Sequence, residues 1–109
     1  MTQTRPNDPP VLILTSLAAG PKHGYALQKD IETFAGVSLG PGTLYGAISR
    51  LEERGLIEPA GEAGRRRPYR LTSTGEEALA ETLTELRAIV DEGTARLARV
   101  RPSLAGGVA

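Results

Sequence analysis

Apolar residues recur along this chain with helical spacing in four places and with strand-like spacing in two. Val11 to Ala19 is apolar on nearly every side. Pro9 and Pro10 precede it, where a missing N–H costs a helix nothing, and Gly20-Pro21 follows as a stop. A helix apolar all round predicts burial. Tyr25 to Ala35 then sets Leu27, Ile31 and Phe34 at i, i+4, i+7, with Lys29, Asp30 and Glu32 off that stripe. This predicts an amphipathic helix ended by Gly36. Val37 to Leu39 reads as a short extended piece. Pro41 opens a third helix to about Arg54, with Leu44, Ala47, Ile48 and Leu51 on one side and Gly55 as its stop.

Leu56 to Glu58 and Pro68 to Leu71 have strand character, and residues 59–67 between them are turn-rich and charged. The pair predicts a hairpin with a long tip. Ser73 and Glu76 have capping-box spacing at the start of a last helix, about Thr74 to Val100. At 1.5 Å per residue that helix is roughly 40 Å long. Leu79, Leu83, Leu86, Val90, Gly93, Leu97 and Val100 form an a/d seam with one gap, at Gly93, and Ile89 widens it. A helix this long outruns so small a domain, so part of the seam is expected to meet a second copy.

The order is helix, helix, short strand, helix, strand, basic tip, strand, long helix. It predicts a mainly α fold with a small β-hairpin: a winged helix-turn-helix plus a long C-terminal dimerisation helix. Residues 11–72 form the winged-helix unit and 73–101 the dimerisation helix. Residues 1–10 and 102–109 are polar or Gly-rich and are expected to be flexible tails.

Composition narrows the chemistry. The 109 residues contain no Cys and one His (His23), which excludes disulfides, thiolate sites, Cys nucleophiles and His-based metal clusters. No phosphate-binding Gly loop is present, and the carboxylates of the last helix are spread along a solvated face. Neither an enzyme nor a cofactor or metal protein is expected. No run is long enough for a membrane span and no leader pattern opens the chain, so the expected location is cytoplasmic. Aromatics are only 4 %, which leaves Leu, Ile, Val and Ala to build the core.

Thirteen bases balance thirteen acids, but they are segregated. Residues 63–72 hold Arg65, Arg66, Arg67 and Arg70 without an acid, whereas residues 74–93 hold six acids and one base, Arg87. The third helix presents Pro41, Gly42, Thr43, Tyr45, Gly46, Ser49 and Arg50 away from its apolar stripe. Gly40, Pro41 and Gly42 remove bulk where free N–H groups attract phosphate. The hydroxyls and the guanidinium suit phosphates and base edges, Arg pairing with guanine in bidentate fashion. An ordinary solvated helix face is the competing reading. The Arg65–Arg67 tip is likewise either a solvated charge run or a contact to phosphate or minor groove.

Three stretches resemble the PadR family of transcriptional regulators: Leu12 to Leu27 with its His23-Gly24-Tyr25, Gly42-Thr-Leu-Tyr45 running on to Ile57, and Arg66 to Leu79. The single long last helix is similar to the short subfamily, whose members dimerise through it. Gly46 replaces a frequent Pro of the family and Gly40 a frequent Ser. Both changes are expected to loosen the start of the third helix while leaving its apolar stripe intact.

The resemblance implies a homodimeric, sequence-specific regulator of double-stranded DNA, a repressor on a palindromic operator, with an effector unspecified. Its DNA-facing residues would be Pro41, Gly42, Thr43, Tyr45, Ser49, Arg50 and Arg65 to Arg67, with Lys22 and Tyr69 beside them. Lys22 is otherwise a solvated lysine and Tyr69 a structural one. His23 is read as a helix-start residue and Tyr25 as packing beside the first helix. Leu79, Leu83, Leu86, Val90, Leu97 and Val100 are core or dimer seam. A flat ligand between paired last helices would want aromatic walls, and that helix has none. The alternative function is a winged-helix protein–protein interaction module that binds no DNA.

Overall fold

The structure, a computed structural model, describes residues 8–61 and 67–101. Its elements are α1 (Pro9–Leu17), α2 (Gly24–Ala35), α3 (Pro41–Glu53), β1 (Ile57–Pro59), β2 (Tyr69–Leu71) and α4 (Ser73–Val100). Pro9 and Pro10 lie inside the first turn of α1, so this helix starts two residues before its apolar run. His23 is the N-cap of α2, its Nδ1 accepting from the Ala26 N–H at 3.4 Å, as the helix-start reading expected. Gly36 ends α2 at φ 68°, a left-handed conformation that costs glycine little.

The core is wholly aliphatic. It comprises Leu12, Ile13, Leu14 and Leu17 of α1, Leu27 and Ile31 of α2, Leu44, Ala47, Ile48 and Leu51 of α3, together with Leu39, Leu56, Ile57 and Leu79. Burying each larger side chain contributes about 1.5–3 kcal/mol before entropy is counted. The four positions of the α3 stripe are all buried, and α1 is buried along most of its length. The α2 stripe is only partly so, because Phe34 stays 46 % exposed near the helix end, where little covers it.

β1 and β2 pair antiparallel, with Ile57 opposite Leu71, Glu58 opposite Arg70 and Pro59 opposite Tyr69. Both strands are three residues long. β1 therefore starts one residue after the predicted Leu56, and β2 one residue after the predicted Pro68. The Arg70–Glu58 ion pair at 2.9 Å is exposed and adds at most about 1 kcal/mol.

α4 is tied to the hairpin one residue earlier than Ser73 suggested. The N-cap is Thr72, whose Oγ1 accepts from the Gly75 N–H at 3.0 Å and donates to the Gly55 carbonyl at 2.6 Å. The Thr72 N–H donates to the Leu56 carbonyl at 3.1 Å. Those two bonds to residues 55 and 56 fix Thr72 outside the helix, so Ser73 becomes its first residue. Gly75 lies so close to β1 that a Cβ there would fall 2.9 Å from the Leu56 carbonyl carbon. Beyond Leu79 the 28-residue helix leaves the core, with Leu83, Ile89, Val90, Leu97 and Val100 all largely exposed. No helix among the described residues is long and apolar enough to cross a membrane.

Candidate nucleic-acid interface

The outer face of α3 is open. Pro41, Gly42, Thr43, Tyr45, Ser49 and Arg50 are exposed, while the opposite stripe is buried in the core. Gly40 caps the helix with extended backbone and supplies no side-chain acceptor. Pro41 has no N–H, so the first-turn N–H groups of Gly42 and Thr43 are left without a side-chain acceptor from the cap. That is the electrostatic setting in which a helix start attracts phosphate. The Arg50 Nη1 lies 3.6 Å from where a Cβ on Gly46 would sit, so Gly46 gives the guanidinium room to lie along the helix. Arg50 forms no ion pair within 4 Å among the described residues.

Three contacts set the angle of this helix. The Gln28 amide donates to the Leu39 carbonyl at 2.7 Å, and the Ser38 hydroxyl donates to Glu32 at 3.2 Å. Both fix the connection between α2 and α3. The third is steric. The Tyr45 ring leans on the backbone of Gly24, where an added Cβ would fall 2.7 Å from its Cζ. Tyr45 thus spans from α3 to the start of α2 while remaining half exposed. Tyr25, expected beside α1, instead faces solvent at 62 %, with the Lys29 ammonium 5.9 Å from its ring centre. Its position directly after Gly24 turns it outward as its neighbour turns in.

At the hairpin, Arg67 is exposed, and Arg65 and Arg66 lie outside the described residues. Tyr69 is half-buried and packs against the core. Its backbone bonds reciprocally with Lys22, N–H to carbonyl at 2.9 and 3.1 Å. The Lys22 ammonium is not a free surface cation. It donates to the Ser16 carbonyl at 2.6 Å, lies 3.4 Å from the Gly20 carbonyl and 3.9 Å from the Asp30 carboxylate. The hydrophobic pattern carried no trace of these ties, nor of the Gly24–Tyr45 contact, because each joins residues from different elements. Only the clustering of Gly24 with His23 and Tyr25 hinted that the spot is crowded.

Of the predicted seam, Leu79 is only 6 % exposed and belongs to the protomer's own core, where the docked start of α4 puts it. Leu86 is half-buried, and Leu83, Val90, Leu97 and Val100 are exposed along the projecting helix. The seam available to a partner therefore starts at Leu83. A Cβ at Gly93 would meet nothing within 4 Å, so the gap in the seam is open space in the protomer.

Comparisons with known proteins agree with this geometry. A 37.1 kDa protein of unassigned function in transposon Tn4556 of Streptomyces fradiae is 52 % identical over 75 residues, 69 % of this chain. The chain spans 22 % of that protein's length. A PadR family transcription regulator from Clostridium difficile R20291 superposes with a TM-score of 0.73 at 26 % identity, covering 82 % of this chain and 97 % of the other. F93 from STIV, described as a winged-helix DNA-binding protein, superposes at 0.67 with 22 % identity, covering 73 % and 88 %, and so shares the fold. The sequence profile of the transcriptional regulator PadR-like family matches residues 13–81. With three helices, a wing and a profile that runs from α1 into α4, the chain belongs to the transcriptional regulator PadR-like family and has the winged-helix fold.

Proposed function

We propose that the chain binds double-stranded DNA sequence-specifically as a homodimer and represses transcription by occupying a palindromic operator. The observation that carries this is the outer face of α3: hydroxyls and a guanidinium without an ion pair among the described residues are exposed on a helix whose other face is core and whose first turn lacks a side-chain cap. Two such helices would enter successive major grooves about 34–36 Å apart. Thr43, Tyr45 and Ser49 contact backbone, Arg50 reads a base, and Arg65, Arg66 and Arg67 reach flanking phosphates or the minor groove. The projecting apolar seam from Leu83 to Val100 pairs with that of a second copy and sets the spacing of the two heads. A bound effector would act by shifting that spacing, to the extent that it prefers one arrangement.

The test is fluorescence anisotropy on a labelled duplex from beside the chain's own gene, titrated at several salt concentrations. Affinity should fall steeply with salt, with a log–log slope of about 0.9 per phosphate neutralised. Arg65, Arg66 and Arg67 changed together to Ala should weaken binding to every sequence and flatten that slope. Arg50→Ala should also relax preference at one base pair, by about 1–3 kcal/mol. Zero net charge and the acidic first half of α4 favour a second reading, a protein–protein interaction module. Absence of binding to the duplex at every salt concentration would favour that reading.

A further inference from the structure

One polar cluster involves none of the α3 residues. The Ser16 hydroxyl, 1 % exposed, donates to Asp30 Oδ2 at 2.6 Å. The Lys22 ammonium, its side chain only 19 % exposed, lies against that same carboxylate oxygen and bonds the carbonyls that end α1. The cluster thus joins the end of α1 and the middle of α2 to the link between them. Within that link, the backbone of Lys22 exchanges both its hydrogen bonds with Tyr69 of β2. On the other side of Tyr69 stands Pro59, which has no N–H to donate. Both backbone polar groups of Tyr69 are therefore held by Lys22, two residues after the exposed Arg67.

We propose that Lys22, Asp30 and Ser16 form a clamp that positions the wing against the helical head, so that Lys22 serves DNA binding without touching DNA. The inference rests on the reading of the wing as a DNA contact. Asp30 makes the clamp separable from simple electrostatics. Its carboxylate repels phosphate, so neutralising it should tighten binding if charge alone mattered. In a clamp the same change loosens Lys22, lets Tyr69 shift, and misplaces Arg67.

The experiment is a double-mutant cycle of Asp30→Asn and Arg67→Ala. Affinity is read by anisotropy on a labelled duplex that the wild-type protein selects from a random pool. Asp30→Asn is expected to weaken binding about two- to fivefold, the loss of one partly exposed ion pair. In the Arg67→Ala background that loss should shrink. Amide exchange at Tyr69 should quicken in Asp30→Asn and stay unchanged in Arg67→Ala. Should Asp30→Asn not fold, Ser16→Ala removes only the hydroxyl that holds the carboxylate and runs the same cycle. Unchanged or tighter binding by Asp30→Asn overturns the clamp, as do losses that simply multiply or a Tyr69 amide that exchanges as before. If Arg67→Ala itself leaves affinity unchanged, the wing reading fails and this inference falls with it.

Discussion

Adding a single methyl group at Gly75 should unseat the long helix from the wing. Alanine is normally the better helix former, by about 0.5–1 kcal/mol over glycine. At this position the new Cβ would meet the Leu56 carbonyl well inside van der Waals contact, 2.9 Å from its carbon. The obstacle is backbone, held on its other side by the buried Leu56 and Ile57 side chains, so it cannot swing away. Relief comes only if α4 lifts. That strains the Thr72–Leu56 and Thr72–Gly55 hydrogen bonds and draws Leu79 from the core. Overpacking costs about 1–3 kcal/mol, and each weakened bond about 0.5–1.5 kcal/mol. Set against the propensity gain, Gly75→Ala should destabilise by about 1–5 kcal/mol and lower Tm by at least roughly 5 °C. The assay is thermal unfolding followed by circular dichroism at fixed protomer concentration, because association makes Tm concentration-dependent. Gly93→Ala is the control: it lies in the same helix with nothing within 4 Å, so it should raise Tm by a few degrees. If Gly75→Ala raises Tm as Gly93→Ala does, the close approach of α4 to β1 is wrong.

The other predictions concern the head and the seam. Gly24→Ala should displace the Tyr45 ring, a movable side chain, costing under about 1 kcal/mol of stability but weakening DNA binding; anisotropy beside a thermal melt separates the two. Ile31→Ala, at a fully buried site, should cost about 2–5 kcal/mol in urea unfolding, and Phe34→Ala from the same stripe clearly less, since that ring is half exposed. Val90→Glu and Leu97→Glu should turn the proposed dimer into protomers in sedimentation while helix content persists, because both side chains are exposed in the single chain. Unaltered sedimentation would place the partner elsewhere.

Hydrophobic periodicity with Pro and Gly as starts and stops located the four helices and the two hairpin strands to within about two residues, whereas Val37 to Leu39, expected as a short strand, forms none because no neighbouring strand lies there to pair with it among the described residues. The periodicity named the α3 stripe correctly because a period of 3.6 with four apolar positions leaves one face for the core. The open face of α3 follows from the same arithmetic, so the candidate DNA-binding residues there were legible too. The order of elements sufficed for the winged helix, and a lack of aromatics already required the aliphatic core. Where the reading failed, a second element was involved. Ser73 has the capping-box spacing in one dimension, and only the carbonyls of residues 55 and 56 select Thr72. Leu79 matches the seam as well as Leu83 does, until docking of α4 assigns it to the core. By sequence Tyr25 packs beside α1 and Tyr45 faces outward, whereas in the fold the bare backbone of Gly24 draws in Tyr45 and Tyr25 faces solvent. Lys22 reads as a surface cation until Ser16 and Asp30 arrive from two helices to surround it. The sequence by itself determined which face of each helix is apolar, since that depends on residues a few positions apart. Tertiary structure alone decided which polar groups remain free for a ligand, since hydrogen bonds and steric contacts act over a few ångströms between residues that only folding brings together.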